Sequence, residues 1–167
     1  MIYLLDTNSF IEAGNRHYRM QVVPGFWEWL TTSHEQITIQ SITPVFEELT
    51  DNQHNPDELS NWAKENHELF VPVTDVEIQE KLKEIANYLN GQKHYSRETI
   101  NHFLSGADPW LIAAANVKSA KIVTHEKLVP SSSRKIKIPN IARQYDIPYL
   151  DIFDLLELSK RTFILAD

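Results

Sequence analysis

The chain has 167 residues, 42% of them apolar and 23% charged, with 4 glycines and no cysteine. Such a length suits one domain, residues 1–167, whose core needs no covalent staples, and the lack of cysteine excludes disulfides, zinc–thiolate centres and thiol nucleophiles. A formal charge of −7 argues weakly against a nucleic-acid partner, but residues 1–116 carry 7 Lys/Arg against 17 Asp/Glu while residues 117–161 carry 9 against 5. A basic C-terminal face is therefore compatible with the acidic total, and divalent cations would offset some of the carboxylates. No apolar run approaches the ~20 residues of a membrane span, and the N-terminus lacks the basic-then-apolar layout of a signal peptide. A cytoplasmic protein without membrane contact is the expectation.

In chain order, Ile2-Tyr3-Leu4-Leu5 reads as a short strand buried on both faces, stopped by Asp6 and followed by turn-forming Thr7-Asn8-Ser9. Ser9 to Ala13 begins a short helix that Gly14-Asn15 can end. Val22 to Thr32 is a second helix with Pro24 in its first turn; Phe26, Trp27, Trp29 and Leu30 are expected in the core. Ile37 to Ile39 is a strand, and Thr43-Pro44 opens a helix through Leu49. Asn52 to Pro56 is a loop, Leu59, Trp62 and Ala63 mark another helix, and Leu69 to Val73 is strand-like. Thr74 and Glu77 suggest a capping box ahead of the stripe Ile78, Leu82, Ile85, Leu89. Ser96 to Leu104 is helical, and Asp108-Pro109 caps and starts a strongly apolar helix through Ala115. Ile122 to Thr124 is a strand. Residues 126–140 read as a mobile loop with a short Ile136–Ile138 strand, followed by helix 141–145, extended Tyr149-Leu150, and a last helix over 151–160. Alternating strands and helices imply an α/β fold on a mainly parallel sheet.

In an open α/β sheet ligands bind at the carboxyl ends of the strands, where Asp6 falls. Glu48 lies one turn into the helix after the second strand, at the edge of the face defined by Val45, Phe46 and Leu49, whereas Glu47 points away. Asp108 heads an apolar helix, and Glu126 follows a strand by two residues. Taken singly, each has a plain structural role as a cap, a solvated helix residue or a loop charge. Together they would repel one another unless cations sat among them, and carboxylate oxygens suit Mg²⁺ or Mn²⁺.

Leu4-Leu5-Asp6-Thr7-Asn8, Val45-Phe46-Glu47-Glu48-Leu49, Ala107-Asp108-Pro109-Trp110-Leu111-Ile112-Ala113-Ala114-Ala115 and Ile122-Val123-Thr124-His125-Glu126 together resemble the PIN domain. The motifs stand in that family's order, and the tail from Ile138-Pro139-Asn140-Ile141 to Tyr149-Leu150-Asp151 is similar to its closing segment. The chain departs from the pattern in its fourth motif, where the family usually places Asp and here Glu126 stands, and in extra length around residues 52–105.

The resemblance implies a three-layer α/β/α sandwich and a metal-dependent nuclease acting on RNA. Asp6 and Asp108 would hold a principal Mg²⁺ or Mn²⁺, Glu48 and Glu126 would hold or orient a second, and Asn8 and Thr124 would orient the carboxylates or the water. It also implies a toxin-like protein with an antitoxin protein as partner, and a homodimer. Lys127, Arg134, Lys135 and Lys137, close after the fourth motif, are candidates for backbone phosphates. Two other readings compete: a PIN-like binding module without catalysis, and a haloacid-dehalogenase-type phosphatase with Asp6 as nucleophile. Asn8 disfavours the phosphatase, because its amide cannot donate the proton usually supplied by a second Asp. The histidines show no ligand spacing, His125 included, and no phosphate loop or dinucleotide fingerprint is present.

Overall fold

The structure is a computed structural model that describes residues 1–32, 34–51 and 57–164. Its strands are β1 (Ile2–Leu5), β2 (Thr38–Ile42), β3 (Phe70–Val71), β4 (Lys121–Val123) and β5 (Tyr149–Leu150). They form one sheet in the order β3-β2-β1-β4-β5, and every pairing is parallel. Parallel neighbours cannot be joined by tight turns, so helices must carry the chain back across the sheet. These are α1 (Thr7–Glu12), α2 (Pro24–Thr31), α3 (Thr43–Thr50), α4 (Glu58–Glu65), α5 (Val76–Gly91), α6 (Arg97–Ser105), α7 (Asp108–Val117), α8 (Ile138–Gln144) and α9 (Ile152–Ser159).

The strand order dictates where the helices lie. From β1 the chain steps outward through β2 to β3, then crosses back to lay β4 on the other side of β1. Right-handed crossovers in opposite directions place their helices on opposite faces. Accordingly α1, α3 and α4 pack together, while α5 and α7 pack together with α8 against α7. The result is the expected α/β/α sandwich. Among the described residues no helix is long and apolar enough to cross a membrane.

Being covered on both faces, the central strands have no room for polar alternation. Leu4, Leu5, Ile122 and Val123 are fully buried, as are Ile112 to Ala114 of α7 above them. Phe26, Trp27, Trp29 and Leu30 are core residues, as expected. Trp27 meets Trp62 edge-on at 4.8 Å between centroids, and Phe10 joins Trp62 to Phe70, closing the face formed by α1, α2 and α4.

Several local expectations are corrected. Gly14-Asn15 does not end the first helix: Ala13–His17 continues it as a wider π turn, closed by the Tyr18 N–H donating to the Ala13 carbonyl at 2.7 Å. The second strand runs to Ile42, which caps α3, so the Thr43 hydroxyl is released to the Val71 carbonyl at 3.3 Å. Asp75 rather than Thr74 precedes α5, one residue too late for the Thr74–Glu77 box, and no side chain caps that helix. No strand forms over Ile136–Ile138. Pro139 presets the first turn of α8, which starts at the buried Ile138. The 126–140 segment is also anchored, because the Asn140 side chain both donates to the Val129 carbonyl at 2.8 Å and accepts from its N–H at 3.1 Å. The loop expected over Asn52 to Pro56 lies outside the described residues.

Ile122→Ala, at the centre of the sheet, is expected to lower the unfolding free energy by roughly 2–5 kcal/mol. Val22→Ala, at a 73% exposed position, should stay within about 0.5 kcal/mol. Urea denaturation of the two variants beside the wild type measures both.

Candidate functional site

The strand order reverses between β1 and β4, and there the crevice outside the carboxyl ends of the strands opens. Asp6 ends β1, and Thr124 follows the last residue of β4. The Thr124 hydroxyl donates to Asp6 Oδ2 at 2.6 Å, so the two strands are tied at the switch point itself. The Ser9 N–H donates to Asp6 Oδ1, also at 2.6 Å. Asp6 is thus the N-cap of α1, the plain role its sequence suggests, and a strand-end carboxylate as well. It is only 1% exposed.

A cleft of about 580 Å³ lies over this point. Its walls include Thr7, Asn8, Glu48, Asp108, Glu126 and Lys137, with Ser105 and Gly106 from the α6–α7 turn. Asp6 and Thr124 are buried and do not line it, but Thr7 on its wall follows Asp6 in the chain, and the Glu126 N–H donates to Thr124. Three of the four carboxylates singled out by the sequence, Glu48, Asp108 and Glu126, thus line one cleft, with Asp6 buried next to its wall, although residues 6, 48, 108 and 126 are far apart in the chain.

Each is held differently. Glu48 is exposed as a residue, but its carboxylate turns inward: Oε1 accepts the Ala107 N–H at 2.8 Å and Oε2 accepts the Thr7 hydroxyl. Gly106 leaves room for this approach, since a Cβ there would stand 3.3 Å from Glu48 Oε1, closer than most Cβ contacts. Asp108 is the first residue of α7 and makes no capping hydrogen bond, contrary to the cap expected of it; Ala107 occupies the cap position. Glu126 Oε1 accepts the Lys137 ammonium and Oε2 the Ile138 N–H at 2.8 Å. The Glu126 N–H donates to Thr124 Oγ1 at 3.0 Å, which links Glu126 to Asp6 through one hydroxyl.

Burial pushes Asp6 from the ordinary 3.8 up to about 6, against the lowering pull of Ser9 and Thr124, and Glu126 adds repulsion. Asp108 rises to about 7, first by burial and then by repulsion from Glu126, Asp6 and Glu48, with Lys137 opposing. The cluster holds more negative charge than its surroundings neutralise. Hard oxygen donors with that deficit suit a divalent cation such as Mg²⁺ or Mn²⁺. Among the described residues, no three Asp, Glu or His side chains converge closely enough to cage an ion as they stand. Asp6, Glu48 and Glu126 each accept hydrogen bonds from protein donors instead.

The remaining candidates divide. Asn8 is exposed on the cleft wall and donates to no carboxylate among the described residues; the Thr7 and Thr124 hydroxyls donate to Glu48 and Asp6. Lys135 and Lys137 line the cleft, whereas Lys127 and Arg134 do not. Lys127 pairs instead with Asp151 at 3.6 Å. His125 packs beside His17 and Phe153, at 6.0 and 5.6 Å between ring centroids, outside the cleft, and burial lowers its pKa. Thr7, Ser9, Gly106 and Ala107 carry no site role in the sequence pattern. Thr7 lies within the first motif, Ser9 directly follows it and Ala107 opens the third, but a backbone N–H or an absent Cβ carries no residue signature.

The sequence profile of the family described as "Domain of unknown function (DUF4411)" matches residues 3–163. The chain belongs to this family. Among solved structures it is similar to a chain of the crystal structure of VapBC2 from Rickettsia felis bound to a DNA fragment from their promoter. The identity is 17% and the TM-score 0.58, over 90% of this chain and 98% of that one. That likeness shows the fold, which is PIN-like, as the motifs implied. No curated protein matches the chain.

The raised pKa values set the sign of a pH effect in this PIN-like fold. A carboxyl group whose folded pKa lies above its unfolded one stabilises the fold most below the unfolded value, and that contribution is lost as pH rises through the folded value. For Asp6 the window runs from 3.8 to about 6, and for Asp108 from 3.8 to about 7. In chelator-treated protein, the wild type should lose on the order of 3 kcal/mol relative to Asp6→Asn between pH 4 and pH 8. Urea midpoints at the two pH values test this; a constant gap would refute it.

Proposed function

We propose that this chain is a divalent-metal-dependent endoribonuclease that hydrolyses RNA phosphodiester bonds. The observation that carries the reading is the buried Asp6 at the strand-order reversal, with Asp108, Glu48 and Glu126 around the same cleft. Asp6 and Asp108 would hold the ion, with Glu48 beside them. When bound, Mg²⁺ or Mn²⁺ supplies a water of lowered pKa and stabilises the departing 3′ oxygen.

The chain's own residues prepare that chemistry. Thr124 holds the Asp6 carboxylate in one orientation from β4, and Thr7 and the Ala107 N–H do the same for Glu48. Lys135 and Lys137 line the cleft where a backbone phosphate would enter, and their charge would draw the polyanion toward an otherwise acidic surface. Similarity to a chain of VapBC2 supports a further proposal, that the protein is a toxin with an antitoxin protein as partner; that it is cytoplasmic and forms a homodimer is proposed on the resemblance of its motifs to the PIN domain.

One observation favours a second reading, a PIN-like binding module without catalysis: both Glu126 oxygens rest on protein donors. The phosphatase reading loses ground. A phosphoryl group needs open approach to a nucleophile, and Asp6 is buried with both oxygens engaged, whereas a bare cation needs only one free lone pair.

Purified protein should cut RNA with Mg²⁺ or Mn²⁺ and stop with EDTA or with Asp108→Asn; cleavage that survives both would belong to a contaminant or another mechanism. Calorimetric Mn²⁺ binding without cleavage would favour the binding module. Gly106→Ala should lower cleavage roughly tenfold by displacing the Glu48 carboxylate a few tenths of an ångström, with little change in the urea midpoint. A large stability loss instead would mean that the glycine serves the fold.

A further inference from the structure

Glu126 is the one departure from the family pattern among the four carboxylates, and its surroundings differ from those of the other three. Its side chain is 9% exposed although it belongs to a loop, and its partner Lys137 is 34% exposed. The ammonium of Lys137 and the first N–H of α8 take one oxygen each. The extra methylene of Glu over Asp gives its carboxylate longer reach, and here that reach is used to contact the start of α8. Both side chains line the same cleft as Glu48 and Asp108.

A cation approaching Glu126 must therefore displace a lysine already bound there, or sit against a like charge in a half-buried site. Either is unfavourable where solvent screening is weak. Lys137 also opposes the repulsion felt by Asp108, so its charge acts on the cluster and not on Glu126 alone. Asp6 and Asp108 have no lysine or arginine within 4.0 Å among the described residues, which leaves them as the part of the cluster in need of a cation.

We propose that Lys137, clasped to Glu126, supplies the positive charge that a second divalent ion would otherwise bring, so that this cleft takes a single ion at Asp6 and Asp108. The inference rests on the metal-nuclease reading above. It makes Glu126 a positioning residue for Lys137 rather than a metal ligand, and makes the ammonium a fixed part of the site that faces an incoming phosphate.

The test counts ions. Mn²⁺ titrations by calorimetry, with electron paramagnetic resonance of the bound ion, are run on the wild type, Lys137→Met, Lys137→Arg and Glu126→Gln, each checked for folding by circular dichroism. One ion per chain is expected for the wild type and Lys137→Arg, and two for Lys137→Met, where Glu126 is released. Glu126→Gln should keep its single ion with affinity weakened by no more than about 10–100-fold, the effect of a group beside the ion rather than on it. That variant and Lys137→Arg decide the matter if Lys137→Met does not fold. Two ions on the wild type, one ion on folded Lys137→Met, or loss of the ion in Glu126→Gln would each overturn the inference and leave the metal reading standing. No Mn²⁺ on any of the four proteins would overturn both.

Discussion

A buried carboxylate at the point where the strand order reverses is the constraint on which the rest of this structure turns. Asp6 closes β1, starts α1 through the Ser9 N–H, and is tied to β4 through Thr124. Those two bonds return part of the solvation that burial removes, yet the acid still sits near pKa 6. A group in that position is unfavourable for the fold as an ion without a counter-ion. Local order around it is correspondingly dense: the Ser9 hydroxyl donates to the Val123 carbonyl at 3.0 Å and the Ser41 hydroxyl to the Leu5 carbonyl at 2.6 Å. The ends of three adjacent strands are thus held together beneath the cleft by short polar side chains.

Around that centre the fold keeps like charges near one another without letting them meet. Glu48 is held by Thr7 and Ala107, and Glu126 by Lys137 and Ile138, so each carboxylate has a donor that fixes its direction. Asp108 has no such donor among the described residues, and its pKa is the higher of the two carboxyl groups that are raised. The cluster thus has a side with a paired lysine, at Glu126, and a side with none within 4.0 Å among the described residues, at Asp6 and Asp108.

Much of this was legible in the sequence. The uninterrupted apolar run before Asp6, Pro109 at the head of an apolar helix, and four acids in an order resembling that of the PIN domain led to the sheet, the helices and the residues in and beside the cleft. Less legible were the features that depend on a residue or two of register. Thr74 suggested a box that Asp75 forecloses, Gly14 suggested a stop that a π turn passes through, and Ile136–Ile138 suggested a strand where Pro139 begins a helix. In each case the boundary falls a residue or two from where the local pattern places it.

By itself the sequence determined the α/β class, the parallel sheet, the buried aromatic helix and the identity of the acids, because periodicity and the chemistry of single side chains are written residue by residue. Only the tertiary structure decided what those acids touch. That Asp6 both caps α1 and ties β1 to Thr124, that the Thr7 hydroxyl reaches Glu48, and that Lys137 pairs with Glu126 all follow from contacts spanning between 3 and 118 residues of chain. Such contacts are set by crossover handedness and strand order, and no local pattern encodes their distances.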